Sequence, residues 1–300
     1  MKARNTKSLW IRVPLICFML LCVTCAVTCS IGYLSELPDR QAVGRLLHDG
    51  GIEGKRFYNN RREGITADSL IAHGGGIGKY LYTNSREAVE DSLKKGFQFI
   101  ELDMVETSDG RIIAAHDWKY FKRLCGCPQI DDSPLKLEEA RTLKIRGEFN
   151  VLTDEDIGKL MEEHPQMVLV VDKLKNYRLL LEKIPYPDRI IVEVFTTSDY
   201  RRALEAGVKY PAYCIWSYLS LLEEQDMTFP LVTCRSSLYN WPFGEVLIGR
   251  LHEHGTTILL YRYGSIDCDA TEFLEKHLGR DFSKVYTNTR APHDTDASSH

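Results

Sequence analysis

The sequence is short of cysteine, of surplus positive charge and of long apolar runs beyond its first few dozen residues, and each shortage removes a class of protein. Nine cysteines in 300 residues are too few for a disulfide scaffold, and four of them (Cys17, Cys22, Cys25 and Cys29) crowd into one N-terminal stretch. With 38 Lys and Arg against 42 Asp and Glu, there is no cationic excess to neutralise a phosphate backbone, which argues against a nucleic-acid partner. The GxGxxG fingerprint of an open dinucleotide-binding sheet is also missing, since the nearest run, His73-Gly74-Gly75-Gly76-Ile77-Gly78, does not fit it. What is present, 44% hydrophobic and 27% charged residues, is the composition of a folded chain and excludes a disordered one.

The one long apolar run, residues 13–35, carries no charge and follows a segment, residues 1–12, that holds Lys2, Arg4, Lys7 and Arg12. At about 1.5 Å per residue it is long enough to cross a hydrocarbon core of roughly 30 Å. That length favours a single transmembrane helix over a signal peptide cleaved near Thr28 and Ser30, because a signal peptide has a shorter apolar core. The basic residues ahead of the run place the N-terminus in the cytoplasm and the rest of the chain outside, with a secreted protein as the alternative. A lipid-modified cysteine is weaker still, because the residues before Cys25 and Cys29 match a lipobox poorly. Residues 36–67 are polar and interrupted by Gly50-Gly51, and they read as a stalk.

From residue 68 to 292 the chain keeps one rhythm. Short β-rich runs at 69–73, 97–104, 167–172, 189–195, 211–216, 230–235, 256–262 and 284–288 alternate with amphipathic segments. Helices are predicted over 84–95, 153–164, 197–207 and 270–279, the last behind an Asp269-Ala270-Thr271 cap. Eight strands alternating with helices predict a (β/α)8 barrel, the TIM-barrel architecture of the α/β class. Residues 293–300 read as a frayed tail.

In such a barrel the chemistry gathers where the strands end. The first run ends in His73, the second in Glu101-Leu102-Asp103, the third in Asp172-Lys173 and the sixth in Arg235. Strand alternation puts Glu101 and Asp103 on one side together with Phe97 and Phe99, so two carboxylates face the interior. Confronted like charges call for a cation, and three oxygen donors, with Asp172 as the third, suit calcium or magnesium better than zinc. The run Arg111 to Asp117 reads as a short returning strand that carries His116 back over the mouth towards His73. Two histidines above a carboxylate-bound cation form an acid/base pair suited to phosphoryl transfer.

These residues resemble a known family. IAHGG, followed by TNSREAVEDSLKKGFQFIELDMVETSDGRIIAAHD, LTDEDIGKLMEEHPQMVLVVDKLK and, more faintly, KVYTNTRAP, closely resembles the glycerophosphodiester phosphodiesterases, which are phosphatidylinositol-phospholipase-C-like TIM barrels, over residues 69–292. The resemblance implies metal ligands at Glu101, Asp103 and Asp172 and acid/base histidines at His73 and His116. It implies hydrolysis of a glycerophosphodiester or related phospholipid head group to a phosphomonoester and an alcohol. Three departures accompany it. The family's arginine after the first histidine, which holds the phosphate, is Gly74 here, leaving the backbone amides of Gly74 and Gly75 as partial replacements. The family's Glu-Asn-Thr is Thr83-Asn84-Ser85, and its Glu-x-Lys is replaced by Asp172-Lys173, with Lys173 as a phosphate contact or a solvated lysine. An arginine restored at position 74 is expected to improve affinity for the head group if the pose is the family's.

Plainer readings stand beside these. Glu101 and Asp103 could pair with mouth lysines, Asp172 could cap a helix, and Arg235 rests on position alone. Cys125 and Cys127 lie too close together for a disulfide between them, and Trp118, Tyr120 and Phe121 are expected to pack an inserted segment over the site. His252 and His254 need no functional explanation. Two other functions remain open: a non-catalytic surface barrel that binds a phosphorylated ligand, for which the missing arginine argues, and a lyase-type phospholipase of the same superfamily that yields a cyclic phosphate.

Overall fold

Runs of Val, Ile and Leu four to eight residues long favour extended backbone, because β-branched side chains pack well on a pleated surface. In the computed structural model of the chain, residues 69–217, 229–240, 244, 246, 248, 251, 256–263, 267–278 and 282–292 are described. The basic segment, the apolar run 13–35, the stalk, His252, His254 and the tail lie outside the described residues, among which no helix is long and apolar enough to cross a membrane.

In chain order the strands are β1 (Leu70–Ala72), β2 (Phe99–Glu106), β3 (Ile112–Ala114), β4 (Lys144–Ile145), β5 (Phe149–Asn150), β6 (Val168–Asp172), β7 (Ile190–Val194), β8 (Tyr210–Ile215), β9 (Leu231–Arg235), β10 (Thr257–Tyr261) and β11 (Lys284–Thr287). Strands β1, β2 and β6 to β11 are parallel neighbours in the order β1-β11-β10-β9-β8-β7-β6-β2, and β1 pairs with β2 to close the ring. All eight expected runs are therefore barrel strands. The short β3 returns antiparallel along the end of β2, with Met104 opposite Ala114, as the run ahead of His116 predicted.

Alternation along these strands sorts the core into two layers. Ile71, Phe99, Val168, Val170, Ile191, Ala212, Leu231, Leu259 and Tyr286 fill the barrel, while Ile100, Leu102, Met104, Leu169, Val171 and Val192 face outward onto the helices. Phe97 departs from expectation. It precedes the strand and packs in the outer layer, not with Phe99. Burying each such aliphatic side chain contributes about 1.5–3 kcal/mol.

The helices are α1 (Arg86–Lys94), α2 (Trp118–Leu124), α3 (Leu137–Arg141), α4 (Asp154–Glu163), α5 (Tyr177–Lys183), α6 (Thr197–Ala206) and α7 (Thr271–His277). Ser85, Thr153, Asn176 and Thr196 cap α1, α4, α5 and α6, each side chain accepting from a backbone N–H in the first turn. At α7 the expected cap is absent: Ala270 sits at the cap position without a side-chain bond, and Asp269 turns instead towards the end of β11.

Between β3 and β6 an insertion of α2, α3 and the β4-β5 hairpin builds its own small core from Trp118, Phe121, Leu137, Ala140, Ile145 and Phe149. Trp118 and Phe121 pack the insertion, as expected, and Cys125 and Cys127 are free thiols. A fork of charge ties this region to the barrel wall. Arg111 donates to Asp154 at 2.6 and 2.8 Å and to Glu155 at 2.8 Å, while the Ile112 amide donates to Asp154 at 3.2 Å. Asp154 is only 1% exposed, so its charge depends on the guanidinium. Arg111→Met should therefore lower stability by about 3 kcal/mol, read by urea denaturation; an unchanged midpoint would mean that water replaces the guanidinium at no cost.

Candidate active site

The inward line of each strand begins apolar and ends polar. On β2, Phe99 is followed by Glu101 and Asp103; on β6, Val168 and Val170 by Asp172; on β7, Ile191 by Glu193. The register aligns these lines. Asp103 pairs with Asp172, and the pairing of Val171 with Val192 sets Asp172 beside Glu193. Likewise Ile71 pairs with Phe99, which brings His73, two residues beyond, over Glu101.

Glu101, Asp103 and Asp172 each present an oxygen within 4.8 Å of the others, and all three are buried. Their immediate partners are local. The Gly74 amide donates to Glu101 Oε2 at 2.6 Å. Asn84 Nδ2 donates to Asp103 Oδ2 at 3.1 Å, and the Asp103 amide donates back to Asn84 Oδ1 at 3.0 Å. Asp172 accepts from the Lys173 amide and from Lys173 Nζ, each at 2.6 Å. Asp172 does not cap the following helix, since Asn176 does.

Burial pushes the Glu101 carboxyl well up from its ordinary value, and the Asp103 charge adds to it. Burial, then Asp172, raises Asp103 in the same way. Glu193 is pushed up to about 8, by burial first and then by Asp172. Four acidic groups thus share one layer, and three of them resist ionising as long as no cation is present. Hard carboxylate oxygens grouped at this spacing fit a divalent cation such as calcium or magnesium.

His73 lies on the β1 side of this cluster. Its Nδ1 donates to Asn288 Oδ1 at 3.0 Å, its Nε2 is 3.9 Å from Glu101 Oε2, and its ring meets the edges of Tyr82 and Tyr286. Burial lowers its pKa, outweighing the Asp103 charge. His116 follows β3, whose end is held to β2 by the Ala115 amide on the Asp103 carbonyl at 2.8 Å. Its Nδ1 donates to Asp117 Oδ2 at 2.6 Å, and Asp117 also caps α2 through the Tyr120 amide. The two histidines flank the carboxylates, one part-buried and the other half-exposed.

The glycine run has a definite geometry. Gly74 has φ +57°, a left-handed conformation, and a Cβ there would lie 3.1 Å from Tyr82 Cα. The position is built for glycine, so an arginine could not be added without moving the backbone. The Gly74 amide already holds Glu101, whereas the Gly75 carbonyl accepts from Ser92 Oγ at 2.8 Å and Gly75 lies against Leu102 and Val89. Thr83, in place of the family's glutamate, bonds to the Tyr80 carbonyl at 2.7 Å and to Ser85 at 3.0 Å, so the arginine–glutamate pair is replaced on both sides.

Lys173, at φ +68°, places its ammonium on Asp172 and over the Phe195 ring. Arg235 stacks on Tyr263. Beside Lys173 a cavity of about 260 Å³ opens, with Tyr177, Glu193 and Phe195 on its wall. Reading the sequence singled out neither Glu193 nor its partner Tyr286, whose hydroxyl donates to it, nor Asn288. The inward period of two from Ile191 would have found Glu193.

Residues 73–204 match the model of the glycerophosphoryl diester phosphodiesterase family. Over that segment the chain is similar to the glycerophosphodiester phosphodiesterases. That family is one of phosphoric diester hydrolases, and its match ends in α6, with the similarity of fold continuing beyond it. A putative glycerophosphodiester phosphodiesterase from Galdieria sulphuraria superposes with a TM-score of 0.57 at 16% identity, covering 73% of this chain and 93% of its own. A glycerophosphoryl diester phosphodiesterase from Parabacteroides distasonis does so with a TM-score of 0.57 at 19% identity, covering 79% and 87%. A phosphodiesterase from Oleispira antarctica, solved with the product sn-glycerol-3-phosphate, gives 0.54 at 14% identity over 73% and 92%. No curated protein matches the sequence.

The raised carboxyls have a stability consequence. A group whose folded pKa lies above its unfolded one stabilises the fold below the ordinary carboxyl range, and that stability is lost as the pH rises through the folded value. For Glu193 the window runs from the ordinary carboxyl value to about 8. In chelator, the melting temperature should fall between pH 5 and pH 8, and Glu193→Gln should flatten part of the fall. A divalent cation should oppose it, because it binds only the ionised carboxylates. Melting curves with the same slope in wild type and Glu193→Gln would contradict this account.

Proposed function

We propose that this barrel hydrolyses a glycerophosphodiester, or a related phospholipid head group, to a phosphomonoester and an alcohol. The observation that carries the reading is the layer of three buried carboxylates within 4.8 Å of one another, flanked by two histidines whose Nδ1 atoms are each held by another side chain. Glu101, Asp103 and Asp172 would hold calcium or magnesium, which supplies neutralisation of the non-bridging phosphate oxygens and a lower pKa for the nucleophile. Asn84 and the Gly74 amide fix the directions of two of these carboxylates. His73 and His116 would act as the acid/base pair, one to take a proton from the nucleophile and the other to give one to the leaving oxygen. Lys173 stands beside Asp172 as a donor for a phosphate oxygen.

Gly74 in place of an arginine leaves the phosphate without a guanidinium fork, so recognition rests more on the ion and on Lys173. Purified full-length protein should turn over a glycerophosphodiester with calcium or magnesium and lose that activity in chelator. His116→Ala should lower kcat by about 10²-fold or more with little change in KM. Phosphorus NMR of the product separates hydrolysis from cyclisation. A protein that binds phosphodiesters with the ion present, yet turns none over in either form, is a binding module.

We also propose that residues 13–35 anchor the barrel outside the cytoplasm, on the strength of the charge-free length and the basic residues ahead of it. External protease should then digest the barrel on intact cells while a cytoplasmic control survives. A barrel protected in sealed cells would reverse the orientation, and a soluble mature chain starting near Ile31 would make the run a signal peptide.

A further inference from the structure

The contact between His73 and Asn288 joins residues 215 apart in sequence. It exists because β1 and β11 are parallel neighbours, with Ala72 opposite Thr287, so the residue after each strand emerges at the same corner of the mouth. The Asn288 amide is oriented from two sides. Its Nδ2 reaches towards Tyr82 Oη at 3.5 Å, and its backbone N–H donates to Asp269 Oδ2 at 3.2 Å.

Asp269 is the buried hub of this corner. Its Oδ2 also accepts from Thr287 Oγ1 at 2.8 Å and from Thr289 Oγ1 at 3.0 Å. Thr287 Oγ1 in turn accepts from the Arg290 amide at 2.9 Å, and Arg290 Nε donates to the Asp269 carbonyl at 3.3 Å. The turn after β11 is therefore closed onto the start of α7 by bonds on both of its sides, and Asn288 sits at its head.

We propose that Asn288 is a positioning residue that selects the tautomer of His73, and that Asp269 holds Asn288 in place to do so. The inference rests on the phosphodiesterase reading of the site. A carbonyl oxygen can only accept, so Asn288 Oδ1 requires the proton of neutral His73 on Nδ1. The lone pair is then on Nε2, the nitrogen facing Glu101 and the carboxylate layer. That makes His73 Nε2 a proton acceptor, and the proposal gives His116, whose Nδ1 is held by Asp117, the complementary task of supplying a proton to the leaving oxygen. The nucleophile's oxygen bonds to phosphorus as its proton goes to His73 Nε2, the bond from phosphorus to the leaving oxygen breaks, and the proton from His116 completes the alcohol. The partner is a neutral amide, so the ring is oriented without a charge behind it.

Two measurements on the full-length chain test this. Long-range nitrogen–proton NMR of the histidine rings, with His73 assigned by its loss in His73→Gln, should show the Nδ1–H form in the wild type and a mixture rich in Nε2–H in Asn288→Ala. In kinetics, Asn288→Ala should lose about 10-fold or more in kcat with KM changed by less than about 2-fold, because the contact acts on proton transfer and not on binding. Asn288→Asp, which keeps the acceptor, should retain the Nδ1–H form and most of the rate, and Asp269→Asn should shift the ring part of the way. Calorimetry should show divalent-ion binding unchanged in Asn288→Ala, which separates a lost tautomer from a collapsed site. A wild-type ring in the Nε2–H form, or an Asn288→Ala protein with the wild-type kcat, would overturn the proposal. The ring spectra decide it even where no phosphodiester is turned over, so its failure and that of the phosphodiesterase reading are told apart.

Discussion

Like charges packed into one buried layer are the constraint around which this barrel is organised. Glu101, Asp103 and Asp172 converge within 4.8 Å, and Glu193 joins them from the next strand. Water cannot solvate them there, so each must be protonated, bonded to a fixed donor or neutralised by a cation. The surrounding structure supplies the donors. Asn84 adopts a left-handed backbone to bond Asp103 at two atoms, Gly74 adopts another to offer its amide to Glu101, and Lys173 a third to turn back on Asp172. Asn84 and Lys173, two non-glycine residues with positive φ beside one acidic layer, show where backbone strain has been concentrated.

The apolar interior beneath that layer makes the arrangement rigid. Ile71, Phe99, Val170 and Ile191 sit one inward step below His73, Glu101, Asp172 and Glu193. Parallel pairing without slippage carries the packing of the floor into the alignment of the acids. A shift of one residue in any of these strands would send its carboxylate into the helix layer, so register and chemistry are specified by the same side chains.

Much of this was legible in the sequence, for physical reasons. The eight strand runs stood out because buried parallel strands are nearly continuous in Val, Ile and Leu, and Glu101 and Asp103 stood out because two acids inside such a run have no structural use. His116 could be placed because a turn and a short apolar run specify a hairpin. Glu193 was missed because a single acid between Val192 and Val194 looks like an ordinary strand residue until its register against Asp172 is known. The role of Asn288 was beyond reach, since an amide gives no charge pattern and its contact with His73 spans almost the whole domain. Phe97 was misplaced because alternation was run back past the start of the strand, and the Asp269 cap failed because tertiary partners at β11 outbid a helix end.

The corner where β1 meets β11 also governs when the protein acquires its chemistry. The acidic layer is drawn from β2, β6 and β7, all of which are made before the last strand exists. His73, emitted near the beginning of the barrel, keeps its ring undirected until Asn288 arrives at the end. Closing so long a loop is entropically slow relative to local pairing, which makes ring closure the late event in maturation. A nascent or C-terminally truncated chain would already carry the acidic residues yet lack the Asn288 contact that orients His73, so under the proposed function it would be silent towards phosphodiesters until synthesis of the barrel is complete.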